Sequence, residues 1–249
     1  MHAYKLLAFD TSTDVMSIAV SCSHNGVPQL WQHHGAAGAQ ASAGMIPAVM
    51  ALMAQSGMAL SALDAIVFGS GPGSFTGLRT ACAVAQGLGF GAQVSLLPID
   101  TLLAVAEDAR WTTLHGQPSV HITALLDARM DEMYVASYTY AQGHWTTLHS
   151  SALVRPEQLE ATPVMAGNVF ALYGARIKPS QAVAAQRIAA FPCAAALLRL
   201  APQFLAQGGA VPAEQALPSY IRDKVAKTTQ ERAAEKAALA AAAPSVVVV

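Results

Sequence analysis

Short apolar runs separated by turn residues fill the first part of the chain. The runs at 4–12, 15–21 and 27–34 each have the length and hydrophobic pattern of a strand, and the first ends in polar residues. Only TDV separates the first two runs, and Asn25-Gly26, a favoured pair for a tight hairpin turn, precedes the third. The pattern therefore predicts that the chain opens with a three-stranded meander.

After the meander, apolar side chains recur at helical spacing, which predicts a helix with one apolar face from Met45, Ile46, Val49, Met50, Leu52 and Met53. A buried strand (LDAIVFGSG), a helix (SFTGLRTACAVAQGLGFG), another strand (VSLLPID) and another helix (TLLAVAEDARW) follow. The predicted order βββαβαβα is that of the first half of the actin-like, sugar-kinase-like architecture. It differs from the order expected for a Rossmann or P-loop domain.

The later part of the chain begins as a second meander. SVHITALLDARMDEMYVASYTY predicts two strands joined by a turn at DARMDE, and HWTTLHSSALV adds a third. We therefore expect an α/β, actin-like (ribonuclease H-like) two-domain fold with a larger half at 1–110 and a smaller one at 111–222. A C-terminal helix at about 193–209 could pack back on the first half, and 223–249 is predicted to be a flexible, low-complexity tail.

Composition narrows the classes of function. Of the 249 residues, 53% are hydrophobic and only 12% are charged, with a net charge of −1, so the basic stripe of a stand-alone RNA-binding protein is missing. Such a weakly charged surface suits contact with a partner protein. The three cysteines are far apart and no histidine pair has metal-ligand spacing, so no metal site is expected. The N-terminus resembles neither a signal peptide nor a membrane span, which predicts a cytoplasmic protein with no membrane contact.

The glycine-rich stretch GSGPGSFTGLRT, at 69–80, allows two interpretations. It lacks the lysine of a Walker A loop, since Leu78 stands in that place, and it matches neither a dinucleotide fingerprint nor a nucleophile elbow. As a structural turn, it would use Gly71 and Gly73 for left-handed backbone and the Ser74 hydroxyl as a helix cap. As a binding site, it would hold an anion on the first N–H groups of the helix.

The stretch FDTST after the first strand also allows two interpretations. In actin-like enzymes an aspartate at this place holds magnesium and phosphate, and Asp10 matches it, although a serine stands where glycine is usual. A polar turn at the end of a strand explains the stretch nearly as well. Asp127, at the end of a later strand, could likewise face the cleft or pair with Arg129 at the surface. The phosphate-site candidates are Asp10, Thr11, Ser12, Gly71, Gly73 and Ser74.

Several motifs together resemble those of one family. LAFDTST, FGSGPGSFTGLRTACAVAQGLGFG and DARMDEMYVASY are similar to the motifs of the bacterial TsaB family, also called YeaZ. The GPGSFTGLR string is the most specific of them. PEQL, MAGN and LPSYIRD follow in the expected order, so the resemblance covers about residues 6–223.

The resemblance implies an actin-like fold and a subunit with no catalytic residues, no cofactor and no metal of its own. Such a subunit supports the catalytic paralogue TsaD, which transfers a threonylcarbamoyl group to the adenosine next to the anticodon of tRNAs that read codons beginning with A. The ATPase TsaE joins this pair, tRNA is met only through the complex, and a nucleotide could bind at the partner interface. In isolation the chain is expected to form a homodimer through the same helical surface.

The partner-interface candidates are Met45, Val49, Met53, Gly77 and Arg79. The methionines and Val49 form one stripe of the first helix, which could meet a partner or the chain's own sheet. Arg79 is the only charged residue between Asp64 and Asp100, and it is either exposed or paired with a carboxylate of a partner or of the cleft. Where many family members carry His-Ser or His-Thr, this chain has Ala41-Ser42.

Two functions of different classes remain open at this stage. The first is the non-catalytic scaffold for tRNA modification. The second is an active actin-like ATPase or phosphotransferase that uses Asp10 and Ser74 near phosphate. Such kinases hold adenine on a glycine-rich turn in the second half, where this chain offers only the single glycine of MAGNVF.

Overall fold

The computed structural model describes residues 4–24, 26–37, 39–180 and 185–222, and the side chains of 39–42 are left undescribed. By their contacts, the residues form a compact unit, Met1–Ser219, and a second unit, Tyr220–Val249. The first unit contains every helix and strand that the structure describes. The predicted tail at 223–249 and the side chains of Ala41 and Ser42 lie outside the described residues.

The first half of the chain has the predicted order of elements and confirms the actin-like fold class. Three strands, β1, β2 and β3, come first, and helices then alternate with two further strands. The bounds are β1 Leu6–Asp10, β2 Val15–His24, β3 Val27–Ala36, α1 Ala39–Ser56, β4 Ala65–Gly71, α2 Phe75–Ala92, β5 Leu96–Asp100 and α3 Thr101–Thr113.

The second half repeats the meander and adds short elements that the sequence pattern did not predict. Its bounds are β6 Ser119–Asp127, β7 Met133–Ala141, β8 His144–Val154, β9 Val164–Gly167, α4 Phe170–Tyr173, β10 Gln186–Ala189 and α5 Ala194–Ala206. Strands β9 and β10 and helix α4 have four residues each, and only the resemblance of MAGN to a family motif indicated the strand end at β9. A segment of this length is too short to show a period of either 2 or 3.6 residues.

The strands form two five-stranded sheets with the same topology. The first has the order β3-β2-β1-β4-β5. The second, given from the equivalent edge, has the order β8-β7-β6-β9-β10. In each sheet the central strand pairs antiparallel with the next strand of its meander and parallel with a later strand. The later strand is β4 in the first sheet and β9 in the second. The second sheet is therefore a topological copy of the first.

Helix α1 packs its apolar stripe against the first sheet. Met45, Val49 and Met53 are buried in one cluster with Leu7 and Phe9 of β1. The predicted partner contact at these three positions is therefore wrong, because an amphipathic helix next to an apolar sheet buries that stripe in its own core. The large apolar side chains of α1 that remain exposed are Ile46 and Met50.

Two later helices connect the sheets. Helix α5 follows the second sheet in sequence but contacts β1, β2 and β4 of the first. The N–H of Ala194, at its start, donates to the hydroxyl of Ser17 in β2 at 3.0 Å. Helix α3 contacts strands of both sheets. The predicted division between residues 110 and 111 falls within α3.

A buried charged cluster lies where α3, α5 and β8 meet. The Glu107 carboxylate, only 2% exposed, accepts hydrogen bonds from Arg110 at 2.7 and 2.9 Å and from Arg199 of α5 at 2.7 Å. It also accepts from the indole N–H of Trp145 in β8 at 3.0 Å. The guanidinium of Arg199 lies 4.8 Å from the ring centre of Trp111. The cluster therefore joins α3, α5 and the second sheet through one carboxylate.

Candidate functional site

The candidate site lies where β1 and β4 end side by side. The two strands are parallel, so their carboxyl ends lie at the same edge of the sheet. The structure brings together the predicted phosphate-site residues from both stretches. The N–H of Ser74 donates to the carbonyl of Ser12 at 2.7 Å, and the hydroxyl of Thr11 donates to the carbonyl of Gly77 at 2.7 Å.

The Asp10 carboxyl is completely buried at this edge. Its Oδ1 accepts hydrogen bonds from the N–H of Ser12 at 2.9 Å and from the Ser12 hydroxyl at 2.6 Å. Its Oδ2 has no hydrogen-bond partner among the described residues and occupies the space beside Gly69, where a Cβ would lie 1.8 Å away. Desolvation raises the pKa of Asp10, and the Ser12 hydrogen bonds offset this only in part. The environment therefore makes ionisation of this carboxyl less favourable than that of an exposed aspartate, which is the opposite of what a cation site needs.

One glycine of the turn has the role that the sequence suggests, and two have another role. Gly71 has a φ of +127°, so it is in the predicted glycine-favoured backbone region, but Gly73 is not. At Gly73 a Cβ would lie 2.5 Å from the Cβ of Ser12, and at Gly77 it would lie 1.8 Å from the carbonyl oxygen of Thr11. Both glycines thus permit close approach to the segment after β1. The prediction of Gly77 as a partner contact is wrong, because the chain's own backbone fills that side.

Ser74 begins α2 without capping it through its side chain. It occupies the N-cap position, but the hydroxyl makes no capping hydrogen bond, so that part of the prediction is wrong. The turn is held instead by the backbone bond from Ser74 to Ser12. The turn is therefore stabilised by the backbone N–H of Ser74 and not by a capping bond of its hydroxyl.

The other side of the turn is covered by a segment from the end of the compact unit. The N–H of Ser219 donates to the carbonyl of Ser70 at 2.7 Å, and a Cβ on Gly71 would lie 2.3 Å from the Ser219 oxygen. The carbonyl of Ala216 accepts from the Gln86 side chain of α2 at 2.9 Å. The turn is therefore packed between two segments of its own chain, which favours the structural interpretation.

Asp127 ends β6, at the place in the second sheet that Asp10 has in the first. Its Oδ1 accepts from the Tyr173 hydroxyl at 3.0 Å and from the N–H of Arg129 at 2.8 Å, and Oδ2 lies 3.3 Å from the Arg129 guanidinium. Arg129 also donates to both oxygens of Asp14, at 3.2 and 3.1 Å. Of the two alternatives for Asp127, the structure therefore shows the ion pair with Arg129. Sequence reasoning missed Tyr173 and Asp14, since contacts over such separations leave no local signal.

Arg79 is exposed on α2. Its guanidinium carbon lies 4.3 Å from the centre of the Phe75 ring, a cation–π contact. The two side chains line an open depression of about 400 Å³ together with Thr76, Thr80, Ala83 and Val84. Exposure is one of the alternatives that the sequence left open for this residue.

Helices α1 and α2 contact each other and carry large exposed apolar side chains. Ile46 and Met50 of α1 are each about half exposed, and Phe90 of α2 is 73% exposed. We call the exposed side of these two helices, with Ile46, Met50, Arg79 and Phe90, the helical face. Exposed apolar groups beside polar ones are typical of a protein-interaction surface.

Neither a metal centre nor a membrane span is found in the part of the chain that the structure describes. No group of three or more histidine, cysteine, aspartate or glutamate side chains is arranged to hold a metal ion. None of the described helices is both long enough and apolar enough to cross a bilayer. Both findings concern the described residues alone.

Comparison with known proteins places the chain in a family. Residues 36–248 match the family model described as TsaD, tRNA N6-adenosine threonylcarbamoyltransferase. The Escherichia coli tRNA threonylcarbamoyladenosine biosynthesis protein TsaB is 31% identical over 230 residues, which cover 89% of this chain and 96% of that protein. The Haemophilus influenzae protein of the same name is 34% identical and covers 64% and 67% of the two chains.

A solved structure agrees with these relatives. YeaZ from Pseudomonas aeruginosa is 36% identical, has a TM-score of 0.75 and covers 87% of this chain and 99% of its own. The match therefore extends over both sheets. With the motifs at both candidate stretches, these likenesses show that the chain belongs to the TsaB (YeaZ) family, whose named members take part in tRNA threonylcarbamoyladenosine biosynthesis.

Proposed function

We propose that this chain is a non-catalytic subunit for the formation of threonylcarbamoyladenosine in tRNA, and that it binds and supports a TsaD-type transferase. The observation that carries this proposal is the sealed carboxyl of Asp10. An actin-like phosphotransferase needs this group ionised and facing a metal-bound phosphate. Here the group is buried, its pKa is raised, and Gly69 and Ser12 leave it no exposed surface.

The helical face is the surface that we assign to TsaD. Arg79, whose guanidinium carbon lies 4.3 Å from the ring centre of Phe75, is beside hydroxyl and small apolar groups, an arrangement suited to a carboxylate of the partner. Ile46, Met50 and Phe90 supply the apolar contact area. In the absence of TsaD, a second copy of the chain would cover the same face as a homodimer.

The remaining parts of the assembly follow from this role. TsaE would join the pair of TsaB and TsaD, and a nucleotide could bind at their interface rather than in this chain alone. Contact with tRNA would occur through the complex, because a net charge of −1 supplies no electrostatic attraction for a polyanion. No cofactor of its own is required in this scheme.

Calorimetric titration against TsaD tests the proposed interface. We expect Arg79→Ala to weaken binding about tenfold, equivalent to about 1.4 kcal/mol. The matched control is Arg187→Ala, since Arg187 is also exposed and its guanidinium lies 5.9 Å from the ring centre of Phe170, away from the helical face. Equal affinities for Arg79→Ala and the wild type would remove Arg79 from the interface.

ATP turnover distinguishes the scaffold from an active ATPase or phosphotransferase. We expect no turnover by the purified chain with magnesium, because Asp10 cannot reach a bound metal. Turnover that the wild type shows and Asp10→Asn lacks would contradict the scaffold and support the phosphotransferase. A trace of activity that persists in Asp10→Asn would come from another site or from a contaminant.

A further inference from the structure

Two of the four edges of the two sheets, those of β5 and β10, are protected within the chain, and a third, that of β8, is covered at one residue. The edge of β5 is paired with Val211, whose N–H and carbonyl both bond to Leu96 at 2.8 Å. The edge of β8 is met by the Gln203 amide, which bonds to both the N–H and the carbonyl of Trp145 at 2.9 Å. The edge strand β10 has only four residues and carries Arg187. These are the common means by which proteins prevent a sheet edge from pairing with another chain.

The fourth edge, β3, has none of these protections in the described part of the chain. It is ten residues long, and no described strand pairs with its outer side. Its sequence, VPQLWQHHGA, has no aspartate, glutamate, lysine or arginine. Most of its residues are exposed, including Val27 at 56% and Leu30 at 50%. Pro28, which lacks a donor, lies near one end and leaves the rest of the strand free to pair.

The surface next to this edge combines large apolar side chains with the charged Asp108 and Arg199. Leu30 lines a cavity of about 490 Å³ with Val15 of β2, Trp111 of α3 and Phe191. Each of these four side chains is between 42% and 55% exposed. A strand added to the edge would bring its alternate side chains over this surface.

We propose that the outer edge of β3 pairs with β3 of a second copy of this chain, in antiparallel orientation about a two-fold axis. A strand without charged side chains meets its own copy without like-charge repulsion, so it suits self-pairing. The main-chain hydrogen bonds are self-complementary, and the exposed Leu30 and Val27 side chains of the two copies extend the contact. The first sheets of the two copies then form one continuous sheet.

This contact is separate from the helical face. It uses the plane of the first sheet, whereas the proposed TsaD surface lies on α1 and α2. A pair joined through β3 would therefore keep both helical faces free, one for each TsaD. The inference does not depend on the proposed function, since it rests on the chemistry of the edge alone.

Amide hydrogen exchange of the purified full-length chain at low and high protein concentration tests the proposal. In the wild type we expect the amides of residues 29–36 that face outward to exchange about tenfold more slowly at the high concentration. Leu30→Lys should remove this difference, because it places two lysines in the paired strands, whereas a dimer formed through the helical face would remain in light scattering. Gln32→Lys, also at an exposed position of β3, is the second variant if the first fails to fold.

Met50→Lys is the matched control on the helical face. It should keep the concentration-dependent protection of β3, even if it weakens a dimer formed through the helices. Protection that is absent, or equal at both concentrations, would overturn the proposal, since the edge would then be unpaired or covered within one chain. Loss of the protection in Met50→Lys but not in Leu30→Lys would also overturn it.

Discussion

The carboxyl of Asp10 lies between Ser12 and the backbone of Gly69, with no exposed surface. Only one of its oxygens accepts hydrogen bonds, so ionisation would leave a poorly compensated charge in the interior. Residue type and position alone suggested a metal and phosphate ligand here. The surroundings of the side chain, which no local pattern reveals, indicate a buried packing group instead.

Asp10→Asn should make the protein more stable at neutral pH. The pKa of Asp10 is raised above its ordinary value of 3.8, so the stability that the protonated acid provides is lost as the pH rises from about 4 through the folded-state pKa. A neutral amide escapes this loss, which is about 1.4 kcal/mol for each unit by which the pKa is raised. Urea unfolding of both proteins from pH 4 to pH 8 should therefore show a difference that grows with pH.

Asp14→Asn is the control for this measurement. Asp14 is 88% exposed and pairs with Arg129 at the surface, where such a pair contributes little to stability. Its difference from the wild type should stay small across the pH range. A constant difference for Asp10→Asn as well would mean that Asp10 titrates normally in the folded protein.

Gly77→Ala should destabilise the protein by about 1–3 kcal/mol or more, because a new Cβ would overlap the carbonyl oxygen of Thr11. Gly87, in the same helix, has no atom within 4 Å of the place where a Cβ would lie. Gly87→Ala should thus stabilise by about 0.5–1 kcal/mol through helix propensity alone. Thermal melts of the two variants compare them directly, and equal melting temperatures would contradict the close approach.

The stripe of α1 shows why the sequence could predict an element but not its neighbour. Helical spacing placed Met45, Val49 and Met53 on one side, and the helix forms as expected. The same stripe suits a partner helix or the chain's own sheet, since both are apolar surfaces. Only the position of β1 and β2 beneath the helix decides between them.

Two neighbouring residues of α1 should respond differently to the same substitution. Val49→Glu places a charge in the core beside Leu7 and Phe9 and should cost several kcal/mol or prevent folding. Met50→Glu, at a half-exposed position of the helical face, should keep the wild-type melting temperature and weaken binding to TsaD. A Val49→Glu protein that melts like the wild type would contradict the packing of α1.

Long elements with a clear period could be predicted from the sequence, and short ones could not. The strands of both meanders and helices α1, α2, α3 and α5 all occur near their predicted places. The hydrophobic pattern did not predict β9 and β10, because four residues carry no period and their place in the sheet depends on parallel pairing with distant strands. Only the family motif MAGN indicated the end of β9. The second sheet was therefore only partly foreseen.

At the scale of the whole molecule, the two sheets have one topology but different sites. Asp10 and Asp127 end equivalent strands, yet the first is sealed by burial and the second is paired with Arg129 and Tyr173. The sequence could place both aspartates at strand ends and bring the glycine turn near Asp10. It could not show which atoms surround each carboxyl, because those contacts join distant parts of the chain.

The Glu107 cluster should contribute strongly to the stability of the whole compact unit. Glu107→Ala leaves two guanidinium groups, those of Arg110 and Arg199, without their shared carboxylate. Removing one partner from such a buried pair costs about 3–5 kcal/mol, which urea unfolding would detect. Glu160→Ala, at an exposed position, is the control. A loss below about 1 kcal/mol would mean that solvent screens the cluster.

Reconstituted formation of threonylcarbamoyladenosine on tRNA tests the central claim most directly. The assay combines TsaD and TsaE with a threonylcarbamoyl donor and tRNA, with either no further protein, the wild-type chain or the Asp10→Asn variant. We predict no product without the chain and equal product with the wild type and Asp10→Asn, because in the proposed role the chain supports TsaD without using its own carboxyl. Loss of product with Asp10→Asn, at unchanged affinity for TsaD, would contradict this account.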